Sequence, residues 1–162
     1  MQLSERDREH SADLAEASTE EGPALRDATA AADRAADDEA AANAARERFR
    51  VGPLEALEPD AAIRPQLADG ELVHDLRRHA ILKAPGDDRA LGYGGTLYLT
   101  SRRLIHLGQV IVTVQLIDIV ETSLAGERLL LTLRNGEGLA LDLDRPRLLR
   151  AELAAVTQGL RR

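Results

Sequence analysis

At 162 residues the chain has room for one ordinary domain plus an appendage, and it contains no Cys, which excludes disulfides and thiolate metal sites. The net charge is −7 and the aromatic residues are only Phe49, Tyr93 and Tyr98. Nucleic-acid binding, which needs a cationic groove and ring platforms, is therefore not expected. No apolar run reaches the roughly 18 residues of a membrane span, and the charged opening Met1-Gln2-Leu3-Ser4-Glu5-Arg6-Asp7 lacks the apolar stretch of a signal peptide, so a cytoplasmic location is expected.

The charge is unevenly distributed. Residues 1–60 carry 16 acidic and 7 basic side chains, whereas residues 61–162 carry 12 and 14. From 1 to 50 the large apolar side chains are only Met1, Leu3, Leu14, Leu25 and Phe49, set among Ala, Glu and Arg, all strong helix formers. This predicts a helical first segment, residues 1–50, with a cap at Ser4 and a break into two helices at Gly22-Pro23. An Ala-rich helix has little to bury, so it reads as a solvated tail in preference to a coiled-coil or partner-binding helix. A role as tether or self-association element, and so a homo-oligomer through this helix, remains open. Gly52-Pro53, Pro59 and Pro65 mark residues 51–66 as a linker, and the domain beyond residue 60 is expected to fold without what precedes it.

From Leu67 onward, alternation and turn signals take over. Glu71–Lys83 reads as a first strand, with Leu72, Leu76, Ala80 and Leu82 on one face and Val73 and Ile81 on the other. A loop opening at Pro85-Gly86-Asp87-Asp88 runs to Gly94-Gly95. Strands follow at Thr96–Thr100, Arg103–Leu107, Val110–Ile117, Ile119–Leu124, Arg128–Arg134 and Leu139–Leu143. Gly108-Gln109, Ala125-Gly126 and Asn135-Gly136 make the hairpin turns, the last being the strongest such signal. The period then changes. Asp144 reads as an N-cap and Pro146 as a first-turn residue. Leu149, Leu153, Val156 and Leu160 form one helical stripe that must cover an opening of the sheet.

Seven short antiparallel strands closed by one amphipathic helix resemble the pleckstrin-homology (PH) superfold. The stretch Gly94-Gly95-Thr96-Leu97-Tyr98-Leu99-Thr100-Ser101-Arg102-Arg103-Leu104-Ile105-His106 is similar to the second and third strands of GRAM and bacterial PH-like domains. Val114-Gln115-Leu116-Ile117-Asp118-Ile119 resembles the entry to their fifth strand, and Leu67-Ala68-Asp69-Gly70-Glu71 their lead-in to the first. The resemblance covers residues 67–160 and implies a mainly β domain, a seven-stranded antiparallel barrel or sandwich capped by a C-terminal helix, over 67–162. It departs from the family at His106, where an aromatic is common, and in a first loop without the dense Lys/Arg set of phosphoinositide-binding members. Twenty Arg against one Lys, with abundant Ala and Gly, matches the coding bias of a high-G+C bacterial genome.

Chemistry has few candidates. His74 and His79 are five residues apart and, in a regular strand, point to opposite faces, so they do not chelate one metal. His10 lies in the charged tail, and there is no phosphate loop or nucleophile elbow. Asp142 and Asp144 read as a strand-end residue and a helix cap, and Asp87-Asp88 as turn residues. No cofactor is implied and no enzyme is expected. For binding, the candidates are Lys83 and Arg89 around the first loop and Arg102 and Arg103 at the next turn, the region where lipid-binding members of the superfold take a headgroup. Asp87 and Asp88 offset Lys83 and Arg89, which favours a protein partner over an anionic lipid.

Overall fold

The computed structural model describes the backbone of residues 4–84 and 90–162 and the side chains of 22–84 and 94–162. The Ser4 cap and His10 rest on side chains outside those described, and the Pro85-Gly86-Asp87-Asp88 turn and Arg89 lie outside the described residues altogether. The chain divides into two compact units, Met1–Asp37 and Asp38–Arg162. The helix α1 runs from Ser4 to Val51 with Pro23 inside it, so the expected break at Gly22-Pro23 does not occur. A proline removes one ladder hydrogen bond at a cost of about 3 kcal/mol, and the long Ala, Glu and Arg runs on both sides favour the helical state through it.

Within the second unit, the last turns of α1 are not a solvated tail. Ala42 and Ala45 have no exposed surface and Asp38 is buried. Small side chains bury little area but let a helix backbone approach its neighbours closely. Residues 51–66, read above as a linker, are also packed. Leu54 lies against the main core, the Leu57 amide donates to the Val73 carbonyl at 2.7 Å, and Ile63 is wholly buried. The Asp60 Oδ1 accepts from the Ala62 and Ile63 amides, which turns the chain back over the sheet.

Among the described residues, seven strands form one antiparallel sheet: β1 (Val73–Lys83), β2 (Ala90–Thr100), β3 (Arg103–Leu107), β4 (Ile111–Gln115), β5 (Ile119–Ala125), β6 (Arg128–Leu133) and β7 (Gly138–Asp142). Their order is β4-β3-β2-β1-β7-β6-β5. β1 serves two layers. It pairs with β2 along most of its length, while Ile81, Leu82 and Lys83 also pair with β7. Between them the register shifts at Arg77/Ala80, where His79 adopts a φ of 58°, and the strand bends there. α2 (Pro146–Leu160) packs against β5, β6 and the 3-10 turn Leu116–Asp118.

Several boundaries differ from expectation, each for a packing reason. Gly94-Gly95 does not end a loop; both residues lie inside β2. Gly95 pairs with Ala80, and a Cβ there would sit 2.3 Å from the His106 ring, so the glycine makes room for that side chain. The fourth strand stops at Gln115 because Leu116 turns inward and is fully buried. The first strand begins at Val73, two residues after the expected Glu71, with Leu72 exposed just before it and Val73 buried. Leu160 is also exposed, so the covering stripe of α2 is Leu149, Leu153 and Val156.

Among the described residues there are two apolar clusters. The larger fills the interior between the layers and includes Leu82, Leu97, Leu99, Leu104, Leu129, Leu131, Leu141, Leu149 and Leu153. The second lies on the other face of β2 and β3, where Tyr98 and Ile105 are covered by Ile63 with Val73. Burial on both faces explains why Leu97-Tyr98-Leu99 and Leu104-Ile105 read as continuous apolar runs. Leu153→Ala is expected to destabilise the domain by about 3 kcal/mol, from lost transfer energy plus a cavity. Thermal denaturation would show this as a clear drop in Tm, and an unchanged Tm would refute the packing of α2.

Candidate functional site

Of the four cations read from the sequence, Arg89 lies outside the described residues, and the other three, Lys83, Arg102 and Arg103, do not converge. β2 is 11 residues long, so at ~3.3 Å per residue its ends lie roughly 30 Å apart. Lys83 pairs with Ala90 at one end, while Arg102 and Arg103 follow Thr100 at the other. Lys83 Nζ lies 3.2 Å from the Asp142 carboxylate, which also accepts from Arg128 Nε at 2.7 Å. The Arg128 hydrogen bond, assisted by Lys83 and opposed by burial, holds the Asp142 carboxyl below its ordinary range. Arg102 is exposed, with a long 3.5 Å contact from Nη2 to the Asp69 carbonyl.

Arg103 belongs to a buried network. Its Nε and Nη2 donate to the two oxygens of Glu71 at 2.9 and 2.6 Å, and Nη2 also donates to the Gln66 carbonyl. Glu71 additionally accepts from the Thr100 hydroxyl at 2.6 Å and the Ala68 amide at 2.9 Å. Burial would raise the Glu71 carboxyl, but these donors bring it down to about 2. The Thr100 hydroxyl in turn accepts from the Arg102 and Arg103 amides, which fixes the turn. Thus Leu67–Glu71 and Thr100–Arg103, two of the stretches that carried the resemblance, are stapled to each other.

A second buried cluster ties β1 to α2. The Arg77 guanidinium donates to Asp75 at 2.8 Å, to Glu152 at 3.2 Å and to the Asp144 carbonyl at 2.7 Å. Burial and the neighbouring Asp75 carboxylate, opposed by Arg77, push Glu152 up to about 8. A carboxyl raised in this way is protonated in the folded chain while its unfolded counterpart ionises. Stability therefore falls as pH rises from about 4.5 toward about 8. Glu152→Gln is expected to flatten that loss and to raise Tm at pH 8 more than at pH 5. Equal shifts at the two pH values would show that Glu152 does not titrate in this window.

The N-terminus of α2 is capped from a distance. Arg145 has a φ of 55° and makes no side-chain cap bond, so Asp144 does not play the expected part. Instead the two oxygens of Asp38 accept the Arg147 and Leu148 amides at 2.8 and 3.0 Å. Arg147 also reaches Glu127 at 3.0 Å. Inside the barrel, the His106 Nε2 donates to the Ala80 carbonyl at 2.8 Å, and its buried Nδ1 has no hydrogen-bond partner. His74 Nδ1 donates to the Glu55 carbonyl. Among the described residues, no group of three or more carboxylates and imidazoles is placed to hold a metal, and no helix is long and apolar enough to cross a membrane.

An open trough of about 750 Å³ lies where the end of α1, the last turns of α2 and the β2–β3 turn meet. Val51, Leu72 and Leu160 are exposed along it, 90%, 49% and 43% accessible, with Arg50, Arg162 and His74 at its margins. None of these residues was singled out in the sequence as a site. The sequence carried no signal for them, since Leu160 fits the α2 stripe and its exposure follows only from the packing.

The architecture compares with solved structures. The Vps36 N-terminal PH domain matches with a TM-score of 0.52 at 20% identity, over 67% of this chain and 96% of that one. The fold is PH-like. The C-terminal domain of an unknown protein from Leishmania infantum matches with a TM-score of 0.47 at 13% identity, over 58% of this chain and 90% of that one. No protein-family model matches the chain, and no curated protein is similar to it. In this PH-like domain, α1 supplies three of the fifteen residues lining the trough, Phe49, Arg50 and Val51, and the rest come from residues 52–162.

Proposed function

We propose that the chain is a non-catalytic PH-like binding module of the GRAM and bacterial PH-like type, and that its ligand is a protein. The observation that carries this reading is the trough, an open apolar surface with large side chains turned to solvent, a feature of interaction sites. A lipid headgroup would need converging cations. Lys83 and Arg103 are each engaged by a carboxylate, and they stand at opposite ends of β2. In this reading the helical segment before Asp38 serves as a tether or self-association element of a cytoplasmic adaptor.

Co-sedimentation of the full chain with vesicles containing phosphatidylserine and a phosphoinositide, at physiological salt, tests the reading. No pelleting is expected, since each well-placed cation contributes only about 1 kcal/mol toward an anionic surface and the chain carries a net −7. Pelleting that Lys83→Glu or Arg102→Glu abolishes would replace the protein ligand by a lipid.

A further inference from the structure

We infer that the trough receives an apolar segment flanked by carboxylates, an acidic amphipathic stretch of a partner protein. This deepens the protein-binding reading and rests on it. The chain has 28 acidic side chains against 21 basic ones, yet none of the residues lining the trough is acidic. Its lining is mostly apolar, with the polar Ser101, Gln158 and His74 among it, and Val51, Leu72 and Leu160 are its most exposed large apolar side chains. Its charged margins are Arg50 and Arg162.

Two features bear on the sign of the field. α1 and α2 both end at the trough, and each helix C-terminus adds about half a negative charge. The two guanidiniums carry a full positive charge each and outweigh them. Arg50 is paired with Glu47 at 3.3 Å, but both side chains are largely exposed, 74% and 68%. An exposed pair of this kind contributes little, so a ligand carboxylate displaces it at small cost. Apolar anchors then supply the affinity and the arginines the choice of partner. A basic amphipathic segment would fill the same volume but meet like charge at both margins.

A random-peptide library selected on the immobilised full chain, with parallel selection on the Val51→Asp/Leu160→Asp variant, tests this directly. Both substituted positions are exposed, so the variant should keep the circular dichroism of the parent. The expected result is enrichment of peptides that combine Leu, Ile or Phe with Asp or Glu. Their affinity should fall at least tenfold in that variant and in Arg50→Glu/Arg162→Glu, and should weaken with added salt. Enriched peptides that are basic or uncharged, or that bind both variants as well as the parent, would overturn the inference while leaving a protein-binding module in place. No enrichment over the variant overturns it too, and vesicle pelleting alongside would overturn the protein-binding reading as well. A concentration-dependent dimer that Val51→Asp/Leu160→Asp dissolves would make a second copy the occupant and reject the acidic partner.

Discussion

Arg103→Ala is expected to cost about 3–5 kcal/mol of folding stability, because it strands the Glu71 carboxylate in the interior. The Glu71 side chain has no exposed surface, and both its oxygens are bound by the Arg103 guanidinium. Thr100 and the Ala68 amide would remain as partners, but neither carries charge. Glu71→Gln in the same background should restore part of the loss by removing the buried charge. The acid limb gives a second readout. Glu71 is held at about 2 against an ordinary 4.5, so its contribution is present above pH 4.5 and lost as pH falls toward 2. Urea titrations of the parent and of Arg103→Ala should therefore converge in acid. A cost below about 1 kcal/mol at neutral pH would mean that Arg103 is free for a ligand after all.

Deleting residues 1–60 is expected to unfold the β domain, whereas a chain beginning at Asp38 should keep its cooperative transition. The longer deletion removes the Asp38 cap of α2, worth about 1–2 kcal/mol. It also removes Asp60, whose carboxylate accepts the Tyr98 hydroxyl at 2.7 Å. Burial, with that bond, pushes the Tyr98 phenol up to about 12, and an orphaned buried hydroxyl costs about 1–3 kcal/mol. Leu54, the Leu57–Val73 bridge and the buried Ala42 and Ala45 go with them. Together these losses are comparable to the roughly 5–15 kcal/mol that holds an ordinary domain folded. β-type circular dichroism and a sharp melt for residues 61–162 would show that the α1 end and the 51–66 segment are dispensable.

The apolar trough shares this dependence on α1. Val51 and Arg50 belong to its last turn, so the deletion that unfolds the domain would also remove one wall of the site. Tests of the ligand are for that reason best made by exposed substitutions in the full chain.

Most of the β architecture was legible because its signals are local. Asn135-Gly136 and Ala125-Gly126 place Gly136 and Gly126 at φ values of 87° and 62°, which few other residues adopt, and the strands on either side follow. Arg103–Leu107 falls where its alternation put it, and the change of period after Asp144 marks α2. Such features are set within a few residues by φ preferences and side-chain spacing. The role of Asp38 was not legible, because its partners lie 109 and 110 residues away. The same holds for Glu71 with Arg103, Tyr98 with Asp60 and Arg77 with Glu152, separated by 32, 38 and 75 residues. An isolated charge in the sequence reads as a free surface cation or anion until packing decides which opposite charge it meets. That is why the Lys83 and Arg103 expected to meet a ligand are found on Asp142 and Glu71, while the trough, made by elements at both ends of the chain, came only with the tertiary structure.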